Sequence, residues 1–164
     1  MSEIDTVVLS GSKDQPVILI ADPACDESST LVHRLRQEGY SVVIAGSVRM
    51  AINVANSQKV FFALTELSFE DGSGKDILAY LSKTHPYCRA IVHTAYCDVK
   101  TAVWAAKAGA ADVLPKPTAV DFLIAILLEK DLRKGGEFTG VQPPNEVREE
   151  HIRQVYLASG FNLS

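Results

Sequence analysis

The chain has 164 residues, of which 47% are hydrophobic and 22% charged, and its formal net charge is -4 at pH 7. That is enough apolar material for one well-buried domain with a small appendage, and the acidic balance argues against attraction of the whole chain to nucleic acid. No run approaches the roughly 18 apolar residues of a membrane span, the polar start does not read as a signal peptide, and the three cysteines form no CxxC pair, so we expect a cytoplasmic protein with reduced thiols and no zinc site.

After a polar segment, predicted to be a flexible tail over residues 1–15, the sequence repeats a strand-then-helix pattern five times. The predicted strands are Val17–Ala21, Ser41–Ala45, Val60 to Glu66, Arg89–Thr94 and Asp112–Leu114. Continuous apolar runs of this kind are typical of strands buried on both faces of a parallel sheet. The predicted helices start near Ser28, Ser47, Gly74, Asp98 and Thr118, the last of these residues being interpreted as an N-cap. Five such units with short loops predict an α/β doubly wound parallel sheet with helices on both faces.

Polar side chains stand where four of the predicted strands end. Asp22 follows the first strand and Glu66 ends the third, and the sequence places Thr94 and Lys116 correspondingly at the fourth and fifth. Because the carboxyl ends of parallel strands meet at one edge, we expect these groups to converge. Together they could hold a phosphoryl group, with the acids holding a metal ion. Taken singly, Thr94 and Lys116 have the ordinary interpretation of a strand-end hydroxyl and a solvated lysine.

Several segments resemble the receiver domain of two-component response regulators over about residues 16 to 130. They are residues 18–22, 64–74, 91–95, 107–110 and 114–117. Residues 70–74 and 147–156 are further similar to the RegA/PrrA/ActR subfamily, which joins a receiver to a Fis-like helix-turn-helix and contains redox-linked transcriptional regulators. The resemblance implies a receiver-type, flavodoxin-like sheet of five strands in the order 2-1-3-4-5, and a regulator rather than an enzyme.

Three positions depart from the family pattern, namely Pro23, Glu66 and Val113. Receivers carry a second acid at the position of Pro23, the phosphate-accepting aspartate at that of Glu66, and an aromatic switch residue at that of Val113. The positions that match are Asp22, Thr94, Ala95 and Lys116. We therefore expect no cofactor, with Mg²⁺ binding weakened or lost and Asp22 and Glu66 as the remaining weak ligands.

The leading hypothesis is a pseudo-receiver in which Glu66 reaches Lys116, with or without Thr94, and fixes one conformation without phosphate. A glutamate carries its charge farther out than an aspartate, nearer to where phosphoryl oxygens would lie. It has one charge and no tetrahedral set of oxygens, so the mimicry is expected to be incomplete. Two alternatives stay open: a site reduced to a structural ion pair, and residual phosphorylation. The sequence does not decide whether the fixed state is active or inactive.

Two further polar residues near these positions are given ordinary roles. Asp71 lies in a Gly-rich stretch and is interpreted as a turn former. His93 precedes Thr94 on the predicted fourth strand and is interpreted as a core histidine with satisfied hydrogen bonds. Neither is predicted to take part in chemistry.

The character of the sequence changes after Lys134. We predict a receiver over residues 16–134, a linker over 135–145, and the first helix of a truncated Fis-like helix-turn-helix over 146–164. Base contacts are expected only if the chain continues past Ser164, because the helix that would enter the major groove is absent. The expected partners are a second copy, bound through the face of the fourth helix, fifth strand and fifth helix, and a histidine kinase or another regulator, with no membrane partner. The alternative is a protein-interaction pseudo-receiver that acts without DNA.

Overall fold

The structure is a computed structural model and describes residues 17–129. This part of the chain forms seven strands and five helices. The strands are β1 (Val17–Ala21), β2 (Ser41–Ala45), β3 (Val60–Thr65), β4 (Ser68–Phe69), β5 (Gly72–Ser73), β6 (Arg89–Thr94) and β7 (Asp112–Pro115). The helices are α1 (Thr30–Gln37), α2 (Val48–Ser57), α3 (Gly74–Thr84), α4 (Val99–Lys107) and α5 (Val120–Leu127).

Five of the strands form one parallel sheet in the order β2-β1-β3-β6-β7. In the predicted count of five strands this is the order 2-1-3-4-5, so the doubly wound α/β fold and its strand order are confirmed. β1, which lies between β2 and β3 in the sheet, is buried at every position. This burial explains why its sequence is a continuous apolar run rather than an alternating one.

Alternation along each strand divides the core into two clusters, one on each face of the sheet. Leu19, Ala63 and Val92 face α2, α3 and α4. Their neighbours Ile20 and Leu64 face the other side, where α1 and α5 pack. No helix within residues 17–129 is long and apolar enough to span a bilayer.

Three local predictions differ from the structure. β3 ends at Thr65 rather than at Glu66, and the turn predicted after it contains the short antiparallel hairpin of β4 and β5. Thr118 is not the N-cap of the last helix, because α5 begins at Val120 after Ala119 and the Thr118 hydroxyl donates to the Pro115 carbonyl instead. The predicted tail, linker and C-terminal helix lie outside the described residues.

Candidate functional site

Backbone hydrogen bonds extend the parallel ladder by one residue beyond three strands and fix the site residues at the carboxyl edge. They run from Asp22 to the Ala45 carbonyl (2.9 Å), from Glu66 to that of Ala21 (2.8 Å), and from Lys116 to that of Thr94 (2.9 Å). Each of these three side chains therefore starts from a backbone position set by the sheet. The peptide bond between Lys116 and Pro117 is cis.

Lys116 lies between the two acids. Its Nζ is 2.6 Å from Asp22 Oδ2 and 2.9 Å from Glu66 Oε2. The side chain of Lys116 is 24% exposed, while those of Asp22 and Glu66 are 15% and 10% exposed. One ammonium group thus bridges two carboxylates in a largely desolvated position, where charge pairing is much stronger than at the surface.

The second oxygen of each carboxylate is bonded by its own loop. The Ala24 amide donates to Asp22 Oδ1 at 2.9 Å, and the Leu67 amide donates to Glu66 Oε1 at 2.7 Å. All four carboxylate oxygens consequently accept a hydrogen bond or ion pair from within the protein. A bound cation or phosphoryl group would have to compete with these contacts.

The surroundings hold Glu66 and Lys116 in their charged forms. Burial alone would raise the pKa of Glu66, but hydrogen bonds from Thr94, the Leu67 amide and Lys116 outweigh it and lower that pKa below its usual value. Burial alone would likewise lower the pKa of Lys116, yet its hydrogen bonds to Asp22 and Glu66 raise it. Glu66 and Lys116 are therefore both charged at neutral pH, and their contact is an ion pair.

The remaining predicted site positions are arranged around this bridge. Thr94 is fully buried, its hydroxyl accepts from the Tyr96 amide at 3.2 Å, and it helps to lower the pKa of Glu66. Ala95 and Pro23 are exposed in the adjoining loops. Val113 is 1% exposed and packs in the core cluster that faces α2, α3 and α4. Thr94 thus joins the cluster directly, whereas Val113 contributes to packing.

Gly74 sets the backbone of Glu66 in a way that sequence reasoning missed. A Cβ atom at this position would lie 2.1 Å from the Glu66 carbonyl oxygen, and the Gly74 amide bonds the Leu67 carbonyl at 2.9 Å. Because the obstacle is backbone rather than a flexible side chain, only glycine fits this close approach. The sequence shows Gly74 in a Gly-rich stretch, but it does not show that Gly74 lies against the backbone of Glu66.

Asp71 has a larger role than the predicted one of turn former. Its carboxylate accepts hydrogen bonds from the amides of Val48 at 2.9 Å and Arg49 at 3.0 Å. These are the first two residues of α2, so Asp71 caps a helix 23 positions earlier in the chain. The hairpin after Glu66 is thereby tied to the start of α2.

His93 is not the satisfied core histidine that the sequence suggested. It is half-buried, and its Nε2 atom is buried without a hydrogen-bond partner among the described residues. Burial, together with the charge of Lys116, lowers the pKa of His93 to about 4 despite the opposing charges of Asp22 and Glu66. The ring is therefore neutral at pH 7.

Comparison with known proteins gives concordant results. The response regulator receiver domain family matches residues 18–128. The chain is 31% identical over 167 residues to the photosynthetic apparatus regulatory protein RegA of Cereibacter sphaeroides, covering 98% of this chain and 86% of RegA. It is 33% identical over 153 residues to the acid tolerance regulatory protein ActR of Rhizobium meliloti, covering 90% of this chain and 76% of ActR.

A solved structure shows the same relationship. A response regulator of Burkholderia pseudomallei, whose crystal structure holds a phosphorylated aspartic acid, a calcium ion and citrate, is 29% identical with a TM-score of 0.64. The likeness covers 90% of this chain and 88% of that one. The resemblance to the RegA/PrrA/ActR subfamily is thus confirmed by sequence, and the receiver fold by structure.

Proposed function

Since the chain belongs to the response regulator receiver family, we propose that it is a regulator that does not signal by phosphorylation. In its receiver, the ion pairs of Lys116 with Asp22 and Glu66 occupy the groups at the phosphoacceptor position, and we call this arrangement the closed site. Its family membership makes it a two-component response regulator, and RegA and ActR are regulatory proteins. The closed site is the part that goes beyond the family. The observation that carries it is the bridge that Lys116 makes to Asp22 and Glu66.

The bridge occupies the groups that phosphoryl chemistry would need. By resemblance, the lysine of a receiver contacts the phosphoryl group, the aspartate at the Glu66 position accepts it, and the acid at the Asp22 position helps to hold magnesium. In this chain Lys116 already pairs with both acids, and backbone amides bond their remaining oxygens. Removing one member would leave a desolvated charge, which costs several kcal/mol in buried sites. We infer that the site is most stable with both Lys116 ion pairs formed and no phosphoryl group bound.

The residues do not fit a magnesium ion. Mg²⁺ takes near-octahedral oxygen ligands at short distances and is usually held by one or two carboxylates together with waters. Pro23 offers no carboxylate, and Asp22 and Glu66 each direct an oxygen to the Lys116 ammonium. A cation would have to displace that ammonium. Weak or absent magnesium binding is therefore part of the proposal.

Glu66 supports constitutive mimicry better than an accidental ion pair, because two groups that contact phosphate in receivers, by resemblance, both act on it. It pairs with the Lys116 ammonium at 2.9 Å, and the Thr94 hydroxyl helps to lower its pKa. These are the groups that, by resemblance, respond to a phosphorylated aspartate. A single carboxylate supplies less charge than a phosphoryl group, so the fixed state is expected to be only partly like the phosphorylated one.

The output that we propose is DNA-binding transcription control, set by dimerisation through the face of α4, β7 and α5. Support comes from the relatives: the match to RegA covers 98% of this chain and so extends past residue 129. A histidine kinase or another regulator would then act by binding this receiver rather than by phosphorylating it.

Glu66→Gln tests the proposal, because it keeps the length of the side chain and removes its charge. We expect the free energy of unfolding to fall by about 1–2 kcal/mol, less than for a charge left wholly unpaired, because Lys116 keeps its pair with Asp22 and the amide side chain can still accept hydrogen bonds. We also expect the oligomeric state, measured by light scattering, to shift. Glu70→Gln, at an exposed position in the same loop, is the matched control. A loss of stability with an unchanged oligomeric state would make the site a structural ion pair without a signalling role. No change in either quantity would contradict the closed site itself.

A further inference from the structure

The amino edge of the sheet, opposite the site, carries an exposed aromatic patch. The ring of Phe61 packs on that of Tyr87 with centroids 5.1 Å apart, and Tyr87 contacts the ring of His85 at 5.8 Å. Phe61 is 39% exposed and Tyr87 51% exposed, whereas His85 is buried. We call these three residues the aromatic patch.

A distortion of the sheet places Phe61 in this patch. β1 pairs with β3 through Val17 with Val60 and then Ile18 with Phe62, so Phe61 is skipped by a register shift. A bulge of this kind leaves one residue unpaired and redirects its side chain. Val60 and Phe62 pack in the two core clusters, while Phe61 is left to face solvent. The exposure of the Phe61 ring therefore follows from the register shift between β1 and β3.

The patch continues into a cleft. Residues 55–59 at the end of α2, with Tyr80, Thr84 and His85 from α3 and the loop after it, line a cleft of about 400 Å³. His85 is common to the patch and the cleft, and its Nε2 lies 3.1 Å from the Gln58 carbonyl oxygen. Aromatic rings beside a polar cleft form a surface suited to the apolar side of an amphipathic helix.

The chain leaves the receiver beside this surface. Arg89, two residues after Tyr87, donates to the Ile126 carbonyl at 2.9 and 3.1 Å and pairs with Glu129 at 3.0 Å. The end of α5 is thereby tied to the start of β6. The 35 residues that follow Glu129, numbered 130 to 164, start from this edge of the sheet.

The sequence that follows has a segment of fitting chemistry. Residues 146–159 place Ile152, Val155 and Tyr156 at the i, i+3, i+4 spacing of one helix face, and a single amphipathic helix cannot bury that face alone. Glu149 and Glu150 precede this stripe, while Lys59 and Lys83 are exposed near the ends of α2 and α3. Only 16 residues, 130 to 145, separate Glu129 from this segment, and a short connection favours a nearby surface.

We propose that the segment 146–159 of the same chain docks with its apolar stripe on the aromatic patch. The other exposed large side chains are poorer candidates. Tyr96, 77% exposed at the carboxyl edge, has no aromatic neighbour within residues 17–129, and Val103 stands on α4, outside the patch. The predicted first helix of the helix-turn-helix would then lie against the amino edge of the sheet, on the opposite side from Glu66.

Hydrogen exchange on the full chain tests this contact. An isolated helix of this length is marginal in water, so slow exchange of its amides requires docking. We expect amides in 146–159 to be protected in the wild type, and Tyr87→Ser and Phe61→Ser each to reduce that protection about tenfold or more. Tyr96→Ser is the matched control and should leave it unchanged. Amides of β1 and β3, followed in the same experiment, report whether a variant still folds.

Each other outcome overturns the proposal. Free exchange of 146–159 in the wild type would mean that the segment is undocked. Protection that survives both Tyr87→Ser and Phe61→Ser would place the segment on another surface. Protection that disappears on dilution together with a dimer seen by light scattering would identify a second copy as the occupant.

The reciprocal variant Ile152→Ser removes an apolar side chain from the docking segment. Its amides in 146–159 should lose protection to the same degree as in Tyr87→Ser.

Discussion

The two edges of the sheet differ in whether their side chains are paired within the protein or exposed to solvent. At the carboxyl edge, Asp22, Glu66 and Lys116 lie within ion-pair distance and pair with one another. At the amino edge, Phe61 and Tyr87 pack on each other and still leave much of their surface exposed. The comparison contrasts an edge whose charged groups pair with one another, the basis of the proposed closed site, with an edge that keeps exposed aromatic surface for a contact.

The largest effect should come from Lys116→Met, which removes the bridge and leaves two acids side by side. We expect a loss of about 3 kcal/mol in the free energy of unfolding measured with urea, at the lower end of the range for broken buried pairs because these side chains keep some exposure. Lys100→Met, at an exposed position on α4, is the control and should change stability by less than about 0.5 kcal/mol. Equal losses of stability in Lys116→Met and Lys100→Met would show that the site lysine stabilises the fold no more than an exposed lysine does.

The next effect is a pH dependence that sharpens the electrostatic side of the comparison. The pKa of His93 is lowered from 6.5 to about 4, so between these values the unfolded chain binds a proton that the folded protein does not. Stability should therefore fall as the pH is lowered from 6.5 to 5, by about 1.5 kcal/mol. The lowered pKa of Glu66 acts below 4.5, outside this window.

Urea unfolding of His93→Leu at pH 6.5 and pH 5 checks this assignment. The variant should lose most of the difference between the two pH values. His33→Leu, which changes an exposed histidine of α1, should retain it. A wild-type difference that persists in His93→Leu would show that another group near the site carries the pH dependence.

The smallest effect concerns the hairpin that follows Glu66. Asp71→Ala removes the carboxylate that caps α2, and we expect a loss of about 1 kcal/mol in thermal or urea unfolding. Glu70→Ala, one position earlier and also exposed, serves as the control. If both substitutions were neutral, the hairpin would not connect the carboxyl edge to α2 as the hydrogen bonds indicate.

Much of the fold could be predicted because its signals are local. The apolar runs of β1 and β2 marked their bounds, and the helix predicted to start near Gly74 does begin at that residue. The hairpin of β4 and β5 could not be predicted, because strands of two residues have no period to detect. Thr118 had the residue type of an N-cap, but its hydroxyl bonds the Pro115 carbonyl, and helix propensity does not reveal that competition.

The site was predictable as a set of positions and not as a set of contacts. Parallel topology brings Asp22, Glu66, Thr94 and Lys116 to one edge, so their convergence followed from strand order. The sequence suggested a pair between Lys116 and Glu66, and it could not show that Asp22 shares the same ammonium at 2.6 Å. That choice depends on side-chain reach in three dimensions.

The most direct test of the closed site is the intact mass of the purified full chain after incubation with Mg²⁺ and a small-molecule phosphodonor. Glu66→Asp, which restores the usual acceptor, is measured beside it. We predict no phosphoryl adduct on the wild type, because Lys116 and the loop amides already bond all four carboxylate oxygens. A gain in the variant would show that the rest of the pocket still supports the chemistry. A phosphoryl adduct on the wild type would contradict the account.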